Sequence, residues 1–132
     1  MPKIIGTCSQ FGGKDSGMAH TENLSLYWSH SQCDERRDLF YPRSEDLTEG
    51  TCHRLIEEVL YCAIRFDPKD KEKLRNTPIK VTNPLNEKFV KCILADWGPN
   101  ENTGRSVDLS KGAMEALGVK TNDLVWAEFE ID

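Results

Sequence analysis

Residues 79–95 read IKVTNPLNEKFVKCILA, and this stretch predicts a β-hairpin. The first arm, 79–82, alternates apolar and polar side chains as a half-buried strand does. Asn83 and Pro84 open a turn that extends to Lys88, because both residue types favour the backbone angles of turns. The second arm, 89–95, is rich in apolar residues. We therefore expect two antiparallel strands, followed by an irregular loop over residues 96–100.

The residues after this hairpin predict a helix and a closing strand. Ser110 is a favoured helix N-cap, because its hydroxyl can accept hydrogen bonds from the first free backbone N–H groups of a helix over 111–117. Gly118 follows at the position where a left-handed residue ends many helices. Residues 124–129 then close the chain as a strand. This order of elements predicts a mainly β domain whose best-supported part is 79–129.

The pattern upstream of the hairpin is less regular. Residues 6–51 are rich in Gly, Ser, Asp and Glu, which predicts loops with one or two short strands, one of them at 24–28. A long surface insertion is expected at about 29–50. Residues 51–66 fit a short helix that runs into a strand, and the mixed-charge run 67–73 fits a solvated turn or short helix.

The composition is that of one folded domain spanning residues 1–132. Hydrophobic residues at 38% and charged residues at 30% are typical of soluble globular proteins, and this length has room for one core. The net charge of −5 argues against nucleic acid as the main partner, since phosphate binding requires clustered Lys and Arg.

The sequence also predicts the cellular location of the chain. No run approaches the ~20 apolar residues of a membrane span, and no signal-peptide h-region follows Met1. We therefore expect no membrane partner and synthesis in the cytoplasm. Any role at the cell wall would then require delivery by lysis, by a particle or by non-Sec export.

The cysteines predict neither a disulfide framework nor a metal site. Their number is odd, and no pair has Cys-x-x-Cys spacing. His30 and Cys33 could join Cys52 and His53 in a zinc site, but the loop between the two pairs fits no familiar ligand pattern. We expect reduced thiols, no metal and no cofactor. The five residues are Cys8, Cys33, Cys52, Cys62 and Cys92.

Four motifs in this order resemble the double-psi β-barrel proteins, in particular the rare lipoprotein A type, expansins and the barrel of membrane-bound lytic transglycosylase A. They are VTNP at 81–84, ADWGP at 95–99, TGRSVDLS at 103–110 and ALG at 116–118. Upstream, residues 8–24 and 61–66 are similar to bacterial relatives of the same group. The resemblance implies a six-stranded double-psi β-barrel with one or two short helices. The long N-terminal loop insertion expected at about 29–50 has no counterpart in the shorter family members.

The resemblance further implies action on peptidoglycan or another cell-wall polysaccharide, with Asp96 as general acid. Glycosidic cleavage needs a carboxyl group that protonates the leaving oxygen, and burial at a barrel rim would raise its pKa. A single carboxyl suits a lytic transglycosylase, whereas hydrolysis normally uses two. Glu22 and Asp15 are candidates for the second group. The structural alternative for Asp96 is a loop-tying side chain that accepts backbone N–H bonds.

The other candidate residues are assigned to substrate binding or to structural roles. Trp97 would either stack on a pyranose ring or fill the barrel rim. Arg105 would bind a substrate oxygen or pair with Asp96, and Arg65 has the same two possibilities. Asp108 precedes the predicted helix, where a carboxylate favours the helix dipole, so a structural role is preferred. Substrate binding is also assigned to Asn100 and Asp15, and structural roles to Gly98, Pro99 and Gly104.

Two classes of function remain open. The first is an enzyme that cleaves peptidoglycan, as a lytic transglycosylase or a glycan hydrolase. The second is non-catalytic: a polysaccharide-binding module, as expansins illustrate, or a structural component of a phage-tail-like or secretion assembly. Product analysis on purified sacculi would separate the two classes.

Overall fold

The computed structural model describes residues 3–11, 30–41, 55–75 and 77–130. Within these ranges, three short α-helices and two 3-10 turns (Pro68–Asp70 and Glu101–Thr103) accompany six strands. The helices are α1 (His30–Glu35), α2 (Lys71–Arg75) and α3 (Lys111–Leu117). The strands are β1 (Lys3–Gln10), β2 (Tyr61–Ile64), β3 (Ile79–Thr82), β4 (Phe89–Trp97), β5 (Val107–Leu109) and β6 (Leu124–Glu128).

The six strands form a closed barrel in the order β1-β5-β2-β4-β3-β6. The pairs β1–β5 and β2–β4 are parallel, and the other four pairs are antiparallel. Exchanging β1 with β4, β2 with β5 and β3 with β6 leaves every pair and every direction unchanged. The prediction of a mainly β, six-stranded barrel is therefore confirmed, and its connectivity has a two-fold repeat.

The predicted hairpin is present as β3 and β4, and its turn is tied to the helix behind it. The Asn83 N–H donates to the Lys88 carbonyl at 2.9 Å, and the Asn83 amide oxygen accepts from the Leu85 N–H at 3.1 Å. The Asn83 amide nitrogen donates to the carbonyl of Leu117 at 2.9 Å. A single buried side chain thus closes the turn and satisfies a free carbonyl at the end of α3.

Helix α3 begins and ends where the sequence predicts. The Ser110 hydroxyl accepts from the Ala113 N–H at 3.0 Å, and Gly118 has a left-handed φ of 71°. The helix buries Ala113, Met114 and Leu117 against the barrel. The apolar side chains that alternate along the strands fill the interior, and each one buried contributes about 1.5–3 kcal/mol. They include Ile79, Val81, Leu94, Val125 and Ala127.

Two predictions about the first half need correction. Residues 55–60 contain no helix: Leu55 forms an isolated antiparallel bridge with Phe40, and a turn leads into β2. The described part of the insertion, 30–41, is not a surface excursion, because it contains α1 and buries Leu39 and Phe40 in the core. The strand predicted at 24–28 lies outside the described residues. Across the described ranges, every helix is too short or too polar to cross a membrane.

Candidate active site at the rim of the barrel

Strand β4 continues through the segment that the sequence predicts as an irregular loop. Its register against β2 shifts: Cys62 pairs with Leu94, but the next residue, Ala63, pairs with Asp96. Ala95 is therefore an extra residue in β4, as in a β-bulge. Bulges re-aim the side chains that follow them and are frequent beside active sites. The loop prediction for Asp96 and Trp97 is wrong for this reason.

The bulge places Asp96 in a row of side chains that crosses four strands. Asp108 of β5 pairs with Ala63 on one side and with Ser9 of β1 on the other. Residues paired in register point to the same face of a sheet, so Ser9, Asp108, Ala63 and Asp96 share one face. Neighbouring strands are ~4.8 Å apart, which puts the Cα atoms of the two aspartates about 10 Å from each other. Ala63, which pairs with both aspartates, has the small side chain of the row between them.

Asp96 is a buried carboxyl group that is poorly compensated. Its exposed fraction is 8%, and its Oδ1 accepts a hydrogen bond from the backbone N–H of Trp97 at 2.7 Å. Burial raises the pKa of Asp96 to about 7, the negative charge of Asp108 adds to this increase, and the Trp97 N–H opposes it. Half of the Asp96 carboxyl groups would therefore hold a proton near neutral pH.

Asp108 is partly buried, and more neighbouring groups stabilise its carboxylate than stabilise that of Asp96. Burial raises the pKa of Asp108 above its ordinary value, and the hydrogen bond donated by the Ser9 hydroxyl and the positive charges of Arg105 and Arg65 oppose that increase. Two carboxyl groups with unequal surroundings can divide the roles of acid and anion. Here Asp96 is the better proton donor, and Asp108 is the better anion.

Arg65 holds the loops around this pair. It follows β2, and its Nη1 donates to the carbonyl of Pro99 at 2.7 Å and to that of Arg105 at 2.9 Å. The loop after β4 thereby joins the loop before β5. The Gly98–Pro99 peptide is cis, and a Cβ built on Gly98 would lie 3.7 Å from Asp108 Oδ2, so this loop passes close to the second carboxylate.

Trp97 presents a fixed aromatic ring at the same rim. Its exposed fraction is 41%, and its indole Nε1 donates to the carbonyl of Phe66 at 3.0 Å. Asn100, by contrast, is exposed and uses its side-chain oxygen to accept from the Asn102 N–H at 2.9 Å. Gly104 ends that turn with a left-handed φ of 74°.

The structure brings most of the candidates from the sequence together. Two details differ from expectation. Arg105 donates from Nε to Asn122 Oδ1 at 3.0 Å, and its charge acts on Asp108 rather than on Asp96. Asp108 belongs to β5 and accepts from the Ser9 hydroxyl, while Ser110 caps the helix as the sequence predicts. Asp15 and Glu22 lie outside the described residues.

Sequence reasoning missed Ser9 and Ala63. Both are small residues in strands whose pairing partners are more than 30 residues away in the chain. The only available signal was local: Ser9 falls within the first segment that resembles double-psi barrel proteins. Nothing in that segment indicates that its hydroxyl meets Asp108.

The described residues contain no group of three His, Cys, Asp or Glu side chains placed to hold a metal ion. Cys8, Cys62 and Cys92 are buried free thiols, and burial raises the pKa of Cys8 to about 11, so its thiol is neutral. The remaining zinc candidates fall outside the description: Cys52, His53, and the side chains of His30 and Cys33.

Comparison of the sequence with models of known protein families gives no match, and comparison with curated proteins gives none either. The function must therefore be argued from the geometry of the barrel rim.

Proposed function

We propose that this chain is a double-psi β-barrel protein that acts on cell-wall glycan, with Asp96 as the proton donor. The observation that carries the proposal is the buried Asp96 carboxyl, with a pKa of about 7, facing Asp108 across Ala63. The two-fold repeat in the strand pairing supports the fold assignment, since a barrel built from two equivalent motifs has this connectivity.

The two carboxyl groups fit the chemistry of glycosidic bond cleavage. Asp96 donates its proton to the leaving oxygen, a form of assistance that typically contributes ~10²–10⁴-fold. The transition state develops positive charge on the sugar ring, and the Asp108 carboxylate stabilises that charge. The bond from the anomeric carbon to the leaving oxygen breaks as Asp96 protonates that oxygen. Attack on the anomeric carbon by the sugar's own hydroxyl would make the reaction a lytic transglycosylation, and attack by water would make it a hydrolysis. In either case the attacking O–H gives its proton to the Asp96 carboxylate, which restores the acid.

The rim around the pair supports binding of a sugar chain. The exposed face of Trp97 offers apolar contact to a pyranose ring, and its hydrogen bond to Phe66 removes the entropy cost of ordering it. Arg65 is engaged with two carbonyls, so it positions the loops instead of binding the substrate. Delivery to the wall would occur by lysis, on a particle or by non-Sec export.

The test is release of soluble muropeptides from purified sacculi, with mass analysis for anhydro-sugar ends. Wild type should release them, and Asp96→Asn should lose ~10²-fold or more of the rate while remaining folded. Glu115→Gln on the exposed side of α3 is the control for loss of a carboxylate, and it should keep full activity. Retention of activity in Asp96→Asn would refute the assignment of the acid.

A second candidate function is non-catalytic binding of the same polymers, which the exposed, immobilised indole of Trp97 favours. Cosedimentation with sacculi measures it directly. In this case Trp97→Ala should weaken binding, Asp96→Asn should not, and no product should appear with wild type.

A further inference from the structure

The outer face of the barrel carries a second ordered surface, away from the carboxylate pair. Where β1, β6, β3 and β4 lie side by side, the register aligns Lys3, Glu128, Lys80 and Lys91 in one row. The next row on the same face contains Ile5, Trp126, Thr82 and Phe89. We call these the lysine row and the apolar row. Their alternation with buried Val81 and Ala127 shows that both rows point outward.

The apolar row is unusually exposed for its composition. Ile5 is 58% exposed and Phe89 is 55% exposed. Two lysines lie over its rings: Lys3 Nζ is 4.0 Å from the centroid of Trp126, and Lys80 Nζ is 4.6 Å from that of Phe89. Cation–π contacts of this kind hold each ammonium group in place above the sheet.

The lysine row carries more positive than negative charge. Lys80 and Lys91 are directly opposite each other, and like charges in that position destabilise a sheet. Within the described ranges, none of the three lysines forms a salt bridge. The row has three positive charges and only Glu128 as a negative one, on a chain whose net charge is −5. An anionic partner would remove this repulsion.

The lysine row also leads into a cavity. Lys91 at its end lines a cavity of about 340 Å³ together with Arg36, Arg75 and Thr77. Arg36 is paired with Asp38, and Arg75 with Glu72. Lys91 thus adds a positive charge to the lining of the cavity, and the cavity supplies depth for a side chain.

We propose that this face binds an acidic peptide segment of a partner protein. Carboxylates would meet Lys3, Lys80 and Lys91, and apolar side chains between them would cover Ile5 and the part of Phe89 that Lys80 leaves exposed. Four strands at ~4.8 Å spacing make the lysine row about 14 Å long, which an extended peptide at ~3.3 Å per residue covers with four to five residues. Acids alternating with apolar residues match both rows at once.

The rings argue against other polyanions. A pyranose or a nucleobase stacks on a bare aromatic face, and here lysine ammonium groups occupy positions over Trp126 and Phe89. A second copy of this chain, pairing through the same face, would bring two positive rows together. The surface is distinct from the Asp96 rim, since Phe89 and Asp96 are seven residues apart on β4, about 23 Å at ~3.3 Å per residue.

The experiment is affinity selection from a library of short peptides in which Asp or Glu alternates with Leu, Ile or Phe, followed by fluorescence anisotropy on the selected peptides. Wild type should retain acidic peptides, with affinity that falls as salt is added. Lys80→Glu combined with Lys91→Glu should weaken binding about tenfold or more. Lys111→Glu combined with Lys120→Glu, which changes two exposed lysines elsewhere, is the matched control and should retain binding. Lys80→Gln with Lys91→Gln should give an intermediate loss, and thermal unfolding checks that all variants fold.

Four results would overturn the proposal. The first is equal retention of peptides by wild type and the Lys80/Lys91 double variant. The second is equal affinity for peptides with Gln and Asn in place of the acids. The third is binding of polygalacturonate or a single-stranded oligonucleotide that depends on Lys80 and Lys91, while no acidic peptide binds. The fourth is concentration-dependent dimerisation that the same double variant abolishes, because a second copy would then occupy the face.

Discussion

Replacing Asp96 by Asn removes a carboxyl group whose ionisation opposes folding. The pKa of Asp96 is about 7 in the folded chain, mainly because of burial, against 3.8 ordinarily. Between these two pH values the folded state binds more protons than the unfolded state. Stability therefore falls as the pH rises from about 4 to about 7 and is level above that, which is the reverse of the usual behaviour of a paired carboxylate.

The size of the effect follows from the proton affinity. Each tenfold difference in proton affinity between the folded and unfolded states corresponds to ~1.4 kcal/mol. Full ionisation of Asp96 therefore lowers the free energy of unfolding by roughly 4 kcal/mol. Asn keeps an oxygen that can accept from the Trp97 N–H. Its buried N–H₂ group would lower the stability of the protein by about 1–3 kcal/mol if it finds no acceptor. Asp96→Asn should therefore stabilise the protein by roughly 1–3 kcal/mol at pH 8 and destabilise it by a similar amount at pH 4.

The assay is urea unfolding followed by tryptophan fluorescence at several pH values between 4 and 8. The quantity of interest is the stability difference between Asp96→Asn and wild type, which should increase by roughly 3–4 kcal/mol across this range. Glu115→Gln controls for the loss of one negative charge from an exposed position. Parallel pH profiles for Asp96→Asn and wild type would refute the claim that burial perturbs this carboxyl.

Further substitutions test the packing and the carboxylate pair. A Cβ on Gly112 would lie 2.3 Å from the Glu58 carbonyl oxygen, so Gly112→Ala should lower stability in urea by about 1–3 kcal/mol or more. Gly104 has open space around it and a φ of 74°, so Gly104→Ala should lower the stability by only about 1 kcal/mol. An equal loss of stability in Gly112→Ala and Gly104→Ala would contradict the predicted clash at Gly112. Ser110→Ala should lower the thermal stability by about 1–2 kcal/mol, because the hydroxyl caps α3 and also accepts from the Tyr61 N–H at 3.3 Å. An unchanged melting temperature would show that the cap is dispensable. Asp108→Asn should lower the pKa of Asp96 in an NMR titration, and an unchanged pKa would mean that the two carboxyl groups do not interact.

The sequence predicted those parts of the fold that depend on neighbours in the chain. The hairpin could be recognised because Asn83 and Pro84 mark a turn between two runs of strand character. Helix α3 could be recognised because Ser110 and Gly118 have side chains and backbone angles suited to its two ends. The hairpin pairs join residues at most 13 positions apart, as Ile79 and Cys92 show, and the two helix caps join residues three to four positions apart.

The parts that were missed depend on pairing between distant segments. The bulge at Ala95 exists because β4 pairs with β2, and nothing between residues 89 and 97 indicates a shift of register. The burial of Phe40 requires its bridge to Leu55. Likewise, Asp108 precedes a helix in the sequence, but its partner is Ser9, 99 positions away. The sequence thus named the charged residues of the rim but could not show which of them act on each other.

The energetic cost of Asp96 bears on the choice between a functional and a structural role. A side chain needed only to bind the Trp97 N–H would be better served by Asn, which has the same shape and no charge to bury. The fold instead retains a carboxyl that is 8% exposed and accepts a hydrogen bond from one backbone N–H. Burial and the charge of Asp108 both raise its pKa. Proteins commonly accept instability of this kind where chemistry requires it. A proton held with a pKa near 7 is the property that a general acid needs at neutral pH, and a loop-tying aspartate has no use for it.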